Sequence, residues 1–201
     1  MLALITKVTL MRYIGNKRNL IDDIESFIRK HVPESLIKDG VFLDLFAGVN
    51  SVAMHFKRYM PVITNDSMYF SYVLARGMVT INTPPDFSTL NANIAAQDVL
   101  DYLNNLPVYD LIEGFIANNY TLHDSDREYL SAENGKRVDT IRHTVEEWYT
   151  SGLIDEDGYY YLLACLVRAI SKVSNTRGSY AAFLKDTDVR SLQPLMLTHP
   201  I

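Results

Sequence analysis

Two carboxylates, each placed where a short apolar run gives out, are the residues of this chain best spaced for chemistry. Asp44 closes the run Val41-Phe42-Leu43, and Asp66 closes Pro61-Val62-Ile63-Thr64-Asn65. Runs rich in β-formers suit strands buried on both faces. After the first run, which Leu45 and Phe46 prolong, Ala47 and Gly48 break the pattern. From Ser51, residues Val52, Ala53, Phe56 and Tyr59 recur near helical spacing, so the element reads as strand, tight turn and helix. Such a turn lets a ligand lie close against backbone N–H groups. A second strand ending in an acid is the arrangement in which a carboxylate accepts bonds from ribose hydroxyls. The signal is therefore that of a nucleoside site, although Gly48 lacks the following G-x-x-G of a dinucleotide site. An ordinary connection with Asp66 capping the next helix fits the same residues.

A second set lies in Met11 to Arg18, MRYIGNKR, where Tyr13 and Ile14 form an extended arm entering a turn at Gly15-Asn16. Lys17 and Arg18 then stand in a first helical turn, where cations oppose the helix dipole, which suits a partner better than local stability. Tyr13 and Lys17 reach one ligand site only if the arm folds back on the Asp44 strand. A third set, Ser174-Asn175-Thr176-Arg177-Gly178-Ser179-Tyr180, offers a cation, an amide, hydroxyls and a ring that suit phosphates or a displaced base. The same composition also suits a plain connection.

These sets need elements to hold them. The chain has 201 residues, nearly half apolar, enough for one substantial core or a core plus an appendage. Apolar spacing predicts helices from Leu20 to Ile28, from Met68 to near Gly77, from Ser88 to Leu106 with a solvated Asp98 inside it, and around Ile141 to Trp148. Another is expected after Asp155, with Tyr159, Leu162, Leu163, Leu166, Ile170 and Val173 on its face. Tyr109 to Arg127 reads as irregular, with Asn119, Tyr120 and His123 inside it, and Ser125-Asp126-Arg127-Glu128 has capping-box spacing. Cys165, the single cysteine, excludes an internal disulfide and reads as a buried small side chain. The histidines show no metal-site spacing. No run is long enough to span a membrane and the N-terminus lacks secretory features, so a soluble cytoplasmic protein is expected. The net charge of −5 argues against indiscriminate nucleic-acid binding. Yet cations cluster between Lys7 and Lys30 and again between Arg168 and Arg190, two patches able to contact phosphates if the fold unites them.

In order and spacing, MRYIGNKRNLIDDI, VFLDLFAGVNSVA and NDSMYFSYVLARG resemble the adenine-specific DNA methyltransferases of the DNA adenine methylase type. The likeness continues through GFIANNYT, ENGKRVDTIRHTVEEW, YYYLLACLVRAISKVSNTRGSYAAFLK and RSLQPL. It implies an α/β fold: a partial Rossmann-like methyltransferase sheet over residues 1–82 that binds the cofactor, then a mostly helical target-recognition part over residues 83–201. It implies S-adenosylmethionine as cofactor, with Tyr13, Gly15 and Lys17 closing over it, Asp44, Phe46, Ala47 and Gly48 forming the loop, and Asp66 holding the ribose. Double-stranded DNA is the implied partner, with Arg18, Asn119, Tyr120, Asn175, Arg177 and Tyr180 as candidate contacts.

Two departures stand out. Asn50 occupies the place of a second glycine, which would bring a side chain toward the cofactor. The family's catalytic Asp-Pro-Pro-Tyr is absent, since Thr83-Pro84-Pro85-Asp86 lacks both the acceptor and the stacking ring and reads as a linker. A carboxylate and a carbonyl there would localise the adenine amino lone pair for in-line attack on the sulfonium methyl. The expectation is a cofactor-binding and DNA-recognition portion whose catalytic half comes from a second polypeptide or is lost. The alternatives are a non-catalytic DNA-binding module and a small stand-alone enzyme on a nucleoside-binding fold.

Overall fold

The computed structural model describes residues 11–90, 94, 98–107, 111–121, 127–178, 180–186 and 188–200. The arm Met11–Lys17 leads through a short 3-10 turn, Arg18–Leu20, into α1 (Ile21–His31), then α2 (Glu34–Asp39). Strand β1 (Phe42–Asp44), helix α3 (Ser51–Phe56) and strand β2 (Val62–Thr64) follow as the sequence pattern requires. The strands pair in parallel with Phe42 opposite Val62 and Asp44 opposite Thr64. Only these two make up the sheet among the described residues, so the expected Rossmann-like sheet is a fragment.

Helix α4 (Tyr69–Leu74) continues into a wider turn over Ala75–Val79, closed by Thr80 N–H donating to Ala75 O. Gly77 sits there because a Cβ would come within 2.3 Å of the Tyr160 carbonyl oxygen, so the two backbones nearly touch.

The remaining elements are helical: α5 (Val99–Asn104), α6 (Phe115–Tyr120), α7 (Ala132–Thr150) and α8 (Glu156–Val173). Helix α8 has the predicted start, its Asp155 carboxylate accepting from Gly158 N–H at 2.8 Å. Its face Leu162, Leu163, Leu166 and Val173 joins Ile141, Val145 and Trp148 of α7 and Leu100 and Leu103 of α5 in the main core. Cys165 is buried there, its thiol pushed up to about 12 by burial, which suits packing and not nucleophilic attack.

Three expectations fail. The helix expected from Ser88 to Leu106 does not form as one piece. Asp98 is the N-cap of α5, accepting from Leu100 N–H at 2.7 Å and facing His199 Nε2 at 2.9 Å. The stretch read as irregular contains α6, whose start is capped by the distant Asp139 carboxylate, which accepts from Gly114, Ile116 and Ala117 N–H. The expected capping box at Ser125 is partly outside the described residues, as is His123. Helix α7 instead begins at a Ser131 cap on Asn134.

The segment after the short turn Val189–Leu192 runs extended across α5, α7 and α8. Asn134 accepts from Leu195 N–H and donates to Gln193 O, while Asn104 does both to Leu197. Leu195 and Leu197 turn into the core and Met196 faces out.

Candidate functional site

The arm does fold back on the first strand. Asn16 is the reason: its amide donates to Met11 O at 3.1 Å, and its Oδ1 accepts from Arg18 N–H at 3.0 Å and from the Ser51 hydroxyl at 2.7 Å. One side chain thus shapes the turn and ties it to the start of α3. The result is a cleft of about 380 Å³ lined by Tyr13, Gly15, Lys17, Asp44, Phe46, Ala47, Gly48 and Asp66. All eight residues assigned to the cofactor from the sequence therefore border one space, of a size ordinary for a ligand pocket. Asn16, Val49, Ser51 and Val52 line it too and were not singled out. Asn16, beside Gly15 in a turn, was the detectable one, since asparagine so often bonds its own backbone in turns.

Gly48 takes φ of 53°, and a Cβ there would meet the Tyr13 ring at 3.8 Å, so ring and turn face each other closely. The Tyr13 ring also leans on Phe70 of α4, centroids 5.3 Å apart. Asp66 accepts from Gly48 N–H at 2.8 Å through Oδ2 and from Met68 N–H at 2.9 Å through Oδ1. A carboxylate has roughly four acceptor positions, so two stay open to a ligand hydroxyl pair. Lys17 Nζ donates to Gly15 O at 2.6 Å, which holds the ammonium over the turn with two protons to spare. Burial pushes the Asp44 carboxyl above its ordinary value, and the neighbouring Asp66 carboxylate adds to this; backbone N–H groups of Phe46 and Ala53 pull the other way.

Asn50 behaves otherwise than expected. It is left-handed at φ 60°, but its side chain is fully buried and turned away from the cleft, donating to Ser71 O at 3.0 Å. The second glycine's place is thus filled by an αL-tolerant residue that staples α3 to α4.

The polar loop after α8 sits against the arm. Arg12 N–H donates to the Ser171 hydroxyl at 3.2 Å, and Ile14 N–H to Gly178 O at 3.4 Å. Gly178 has φ of 100°, and a Cβ would crowd Arg12 C and Tyr13 N at 3.2 Å. Between arm and α8 lies a second, larger apolar cavity of about 670 Å³, which shares Tyr13 with the first. The two basic stretches are therefore adjacent, but fewer cations face outward than their number implied. Arg168 is buried and donates to His199 O, and Arg190 holds Asp188 at 2.7 Å, keeping that carboxyl down at about 2. Lys7 lies outside the described residues.

The candidate DNA contacts divide accordingly. Arg177 is exposed, Arg18 half-buried, and Tyr180 exposed with its hydroxyl on Ser174 Oγ. Asn175 is fully buried and spends its amide on Glu128 O, Leu184 O and Asp188 N–H, so it shapes the loop and offers nothing to a partner. Asn119 bonds Phe115 O within α6, and Tyr120 lies against Phe115 and Tyr129; neither lines the cleft. Thr83-Pro84-Pro85-Asp86 does not border the cleft either.

The order of these parts along the chain matches the D12 class N6 adenine-specific DNA methyltransferases over residues 13–198. The chain belongs to that family. Within it, the chain is similar to the modification methylase StsI of Streptococcus sanguinis, 43% identical over 188 residues, and to the type II methyltransferase M.FokI of Planomicrobium okeanokoites, 39% identical over 188. It is 41% identical over 189 residues to the type II methyltransferase M.NlaIII of Neisseria lactamica. Each match covers 93% of this chain, but only 28% of the first two relatives and 53% of the third. No solved structure matches the chain significantly. For this D12 family member, no helix among the described residues is long and apolar enough to cross a membrane.

Proposed function

We propose that this chain binds S-adenosylmethionine and recognises DNA as one part of an adenine-specific methyltransferase of the modification type, the catalytic part lying in sequence it does not contain. The convergence of the arm, the 44–48 turn and Asp66 on one cleft carries the reading. In that cleft Asp66 would take the ribose hydroxyls, Lys17 a carboxylate, and the Tyr13 ring an apolar edge beside the Gly48 turn. The cofactor supplies an electrophilic methyl; the chain's own residues orient it and shield it from water. Arg18, Arg177 and Tyr180, near the arm, would meet the DNA backbone. A purely DNA-binding module draws on fewer residues, because Arg168 and Arg190 are spent internally.

Calorimetry with the inert analogue sinefungin tests the cofactor part: binding to the chain is expected, and a folded sample giving no heat would refute it. Methyl transfer to duplex DNA is expected only when the missing part is supplied. Robust transfer by the chain alone would refute the division of labour.

A further inference from the structure

We propose that Asn50 is a positioning residue of the cofactor site: from beneath the cleft, its buried amide locks the 44–48 turn to the first turn of α4, and so sets Gly48 N–H and the Asp66 carboxylate at the spacing a ribose diol needs. This rests on the reading of the cleft as the S-adenosylmethionine site.

The cleft is built at the ends of two strands, so its shape depends on how the turn after β1 sits against the turn after β2. Around the cleft the two are joined by Ala47 N–H donating to Asn65 O at 3.0 Å, by Asn65 Nδ2 donating to Leu45 O at 3.0 Å, and by Gly48 N–H donating to Asp66 at 2.8 Å. The last of these ends on the carboxylate that a ribose would also use. Underneath, one side chain makes the connection. Asn50, 0% exposed, sends Nδ2 to Ser71 O at 3.0 Å and approaches Gly48 O at 3.4 Å. Its own N–H donates to Ala47 O at 2.7 Å, so the same residue also holds the turn from within. Ser71 in turn borders, with Asp66 and Tyr72, a small cavity of about 130 Å³. One end of the bolt therefore lies in the Gly48 turn and the other beside the ribose acid.

The residue type follows from both demands. A φ of 60° suits glycine, asparagine or aspartate. Glycine has no side chain to reach Ser71, and an ionised aspartate has no proton to give its carbonyl. Asparagine meets both conditions, yet no protein group donates to its buried Oδ1, which burdens the fold. A residue that costs stability in this way marks a place set by function.

A second staple joins the same two helices and supplies the contrast. Lys57, at the end of α3, donates through Nζ to Met78 O and Ile81 O, each at 2.7 Å, beyond the far end of α4. It does not line the cleft. If joining the helices were all that mattered, the two staples would be equivalent toward a ligand.

The test is calorimetry on the full chain with sinefungin, adenosine and 2′-deoxyadenosine. Glycine takes a left-handed backbone without strain, so Asn50→Gly removes the amide and leaves the turn able to form. It should bind sinefungin about tenfold more weakly than the parent, as lost preorganisation does. The preference for adenosine over 2′-deoxyadenosine, which reads the ribose 2′-hydroxyl, should narrow. Lys57→Met should lower resistance to urea as Asn50→Gly does, yet leave sinefungin affinity unchanged. Without ligand, amide exchange at Gly48 and Met68 should quicken in Asn50→Gly and stay at the parental rate in Lys57→Met. Parental affinity in folded Asn50→Gly, an equal loss in Lys57→Met, or an unaltered ribose preference would each overturn the proposal while leaving the cofactor reading intact. An Asn50→Gly chain that does not fold also overturns it, since the amide then serves the whole core. A parent that binds no sinefungin overturns the cofactor reading itself, and the proposal with it.

Discussion

Removing the Asp66 carboxylate tests the cleft most directly, because that group has two duties. It fixes the turn through Gly48 and Met68 N–H, and it leaves acceptor positions for two hydroxyls. Hydrogen bonds to an ionised group are worth about 1.5–3 kcal/mol each. Two such bonds, discounted because the site is partly open to water, leave about 3 kcal/mol, and each 1.4 kcal/mol or so is tenfold in affinity. Asp66→Ala should therefore weaken sinefungin about 100-fold by calorimetry. Asp66→Asn keeps one acceptor and should cost roughly tenfold, one interaction of about 1.5 kcal/mol. Thermal unfolding of both variants separates loss of contact from loss of fold, since the alanine leaves both Gly48 and Met68 N–H without a partner whereas the asparagine, with its one acceptor oxygen, leaves one of them. An affinity for Asp66→Ala within threefold of the parent, in a folded sample, would refute the assignment of Asp66 to the ribose.

Further outcomes follow from the same geometry. Because burial raises the Asp44 carboxyl above its ordinary 3.8, its protonated form is favoured by folding, and the stability it contributes is lost as pH rises through the raised value. Asp44→Asn should thus be more resistant to urea than the parent at neutral pH, and the advantage should shrink as pH falls toward the ordinary carboxylate range. Gly77→Ala would drive a methyl into the Tyr160 carbonyl and should cost about 3 kcal/mol or more in chemical denaturation. Arg177→Ala should weaken duplex binding evenly across sequences and lower the salt slope by about one, as loss of a phosphate contact does.

What could be read from the sequence was what local pattern controls. The runs ending at Asp44 and Asp66, the cap at Asp155 and the apolar face of α8 depend on neighbours in sequence, and each formed where expected. Helix α6 was missed because its cap, Asp139, sits on another helix. Asp98 was misplaced because the α5 apolar pattern runs smoothly into the residues before it, and only His199, far along the chain, reveals the cap facing outward. The inward turn of Asn50 and the self-pairing of Arg190 are likewise decided by tertiary contacts. Composition counted those cations but could not say which way they point.

The two asparagines that grip the final extended stretch recognise its peptide groups and ignore its side chains. Such a grip reads spacing, not identity. Evolution could redecorate the outward-facing Met196 freely, whereas inserting or deleting one residue between Gln193 and Leu197 would swing leucines outward and leave both amides without their mates. Length is thereby the quantity held constant in this stretch.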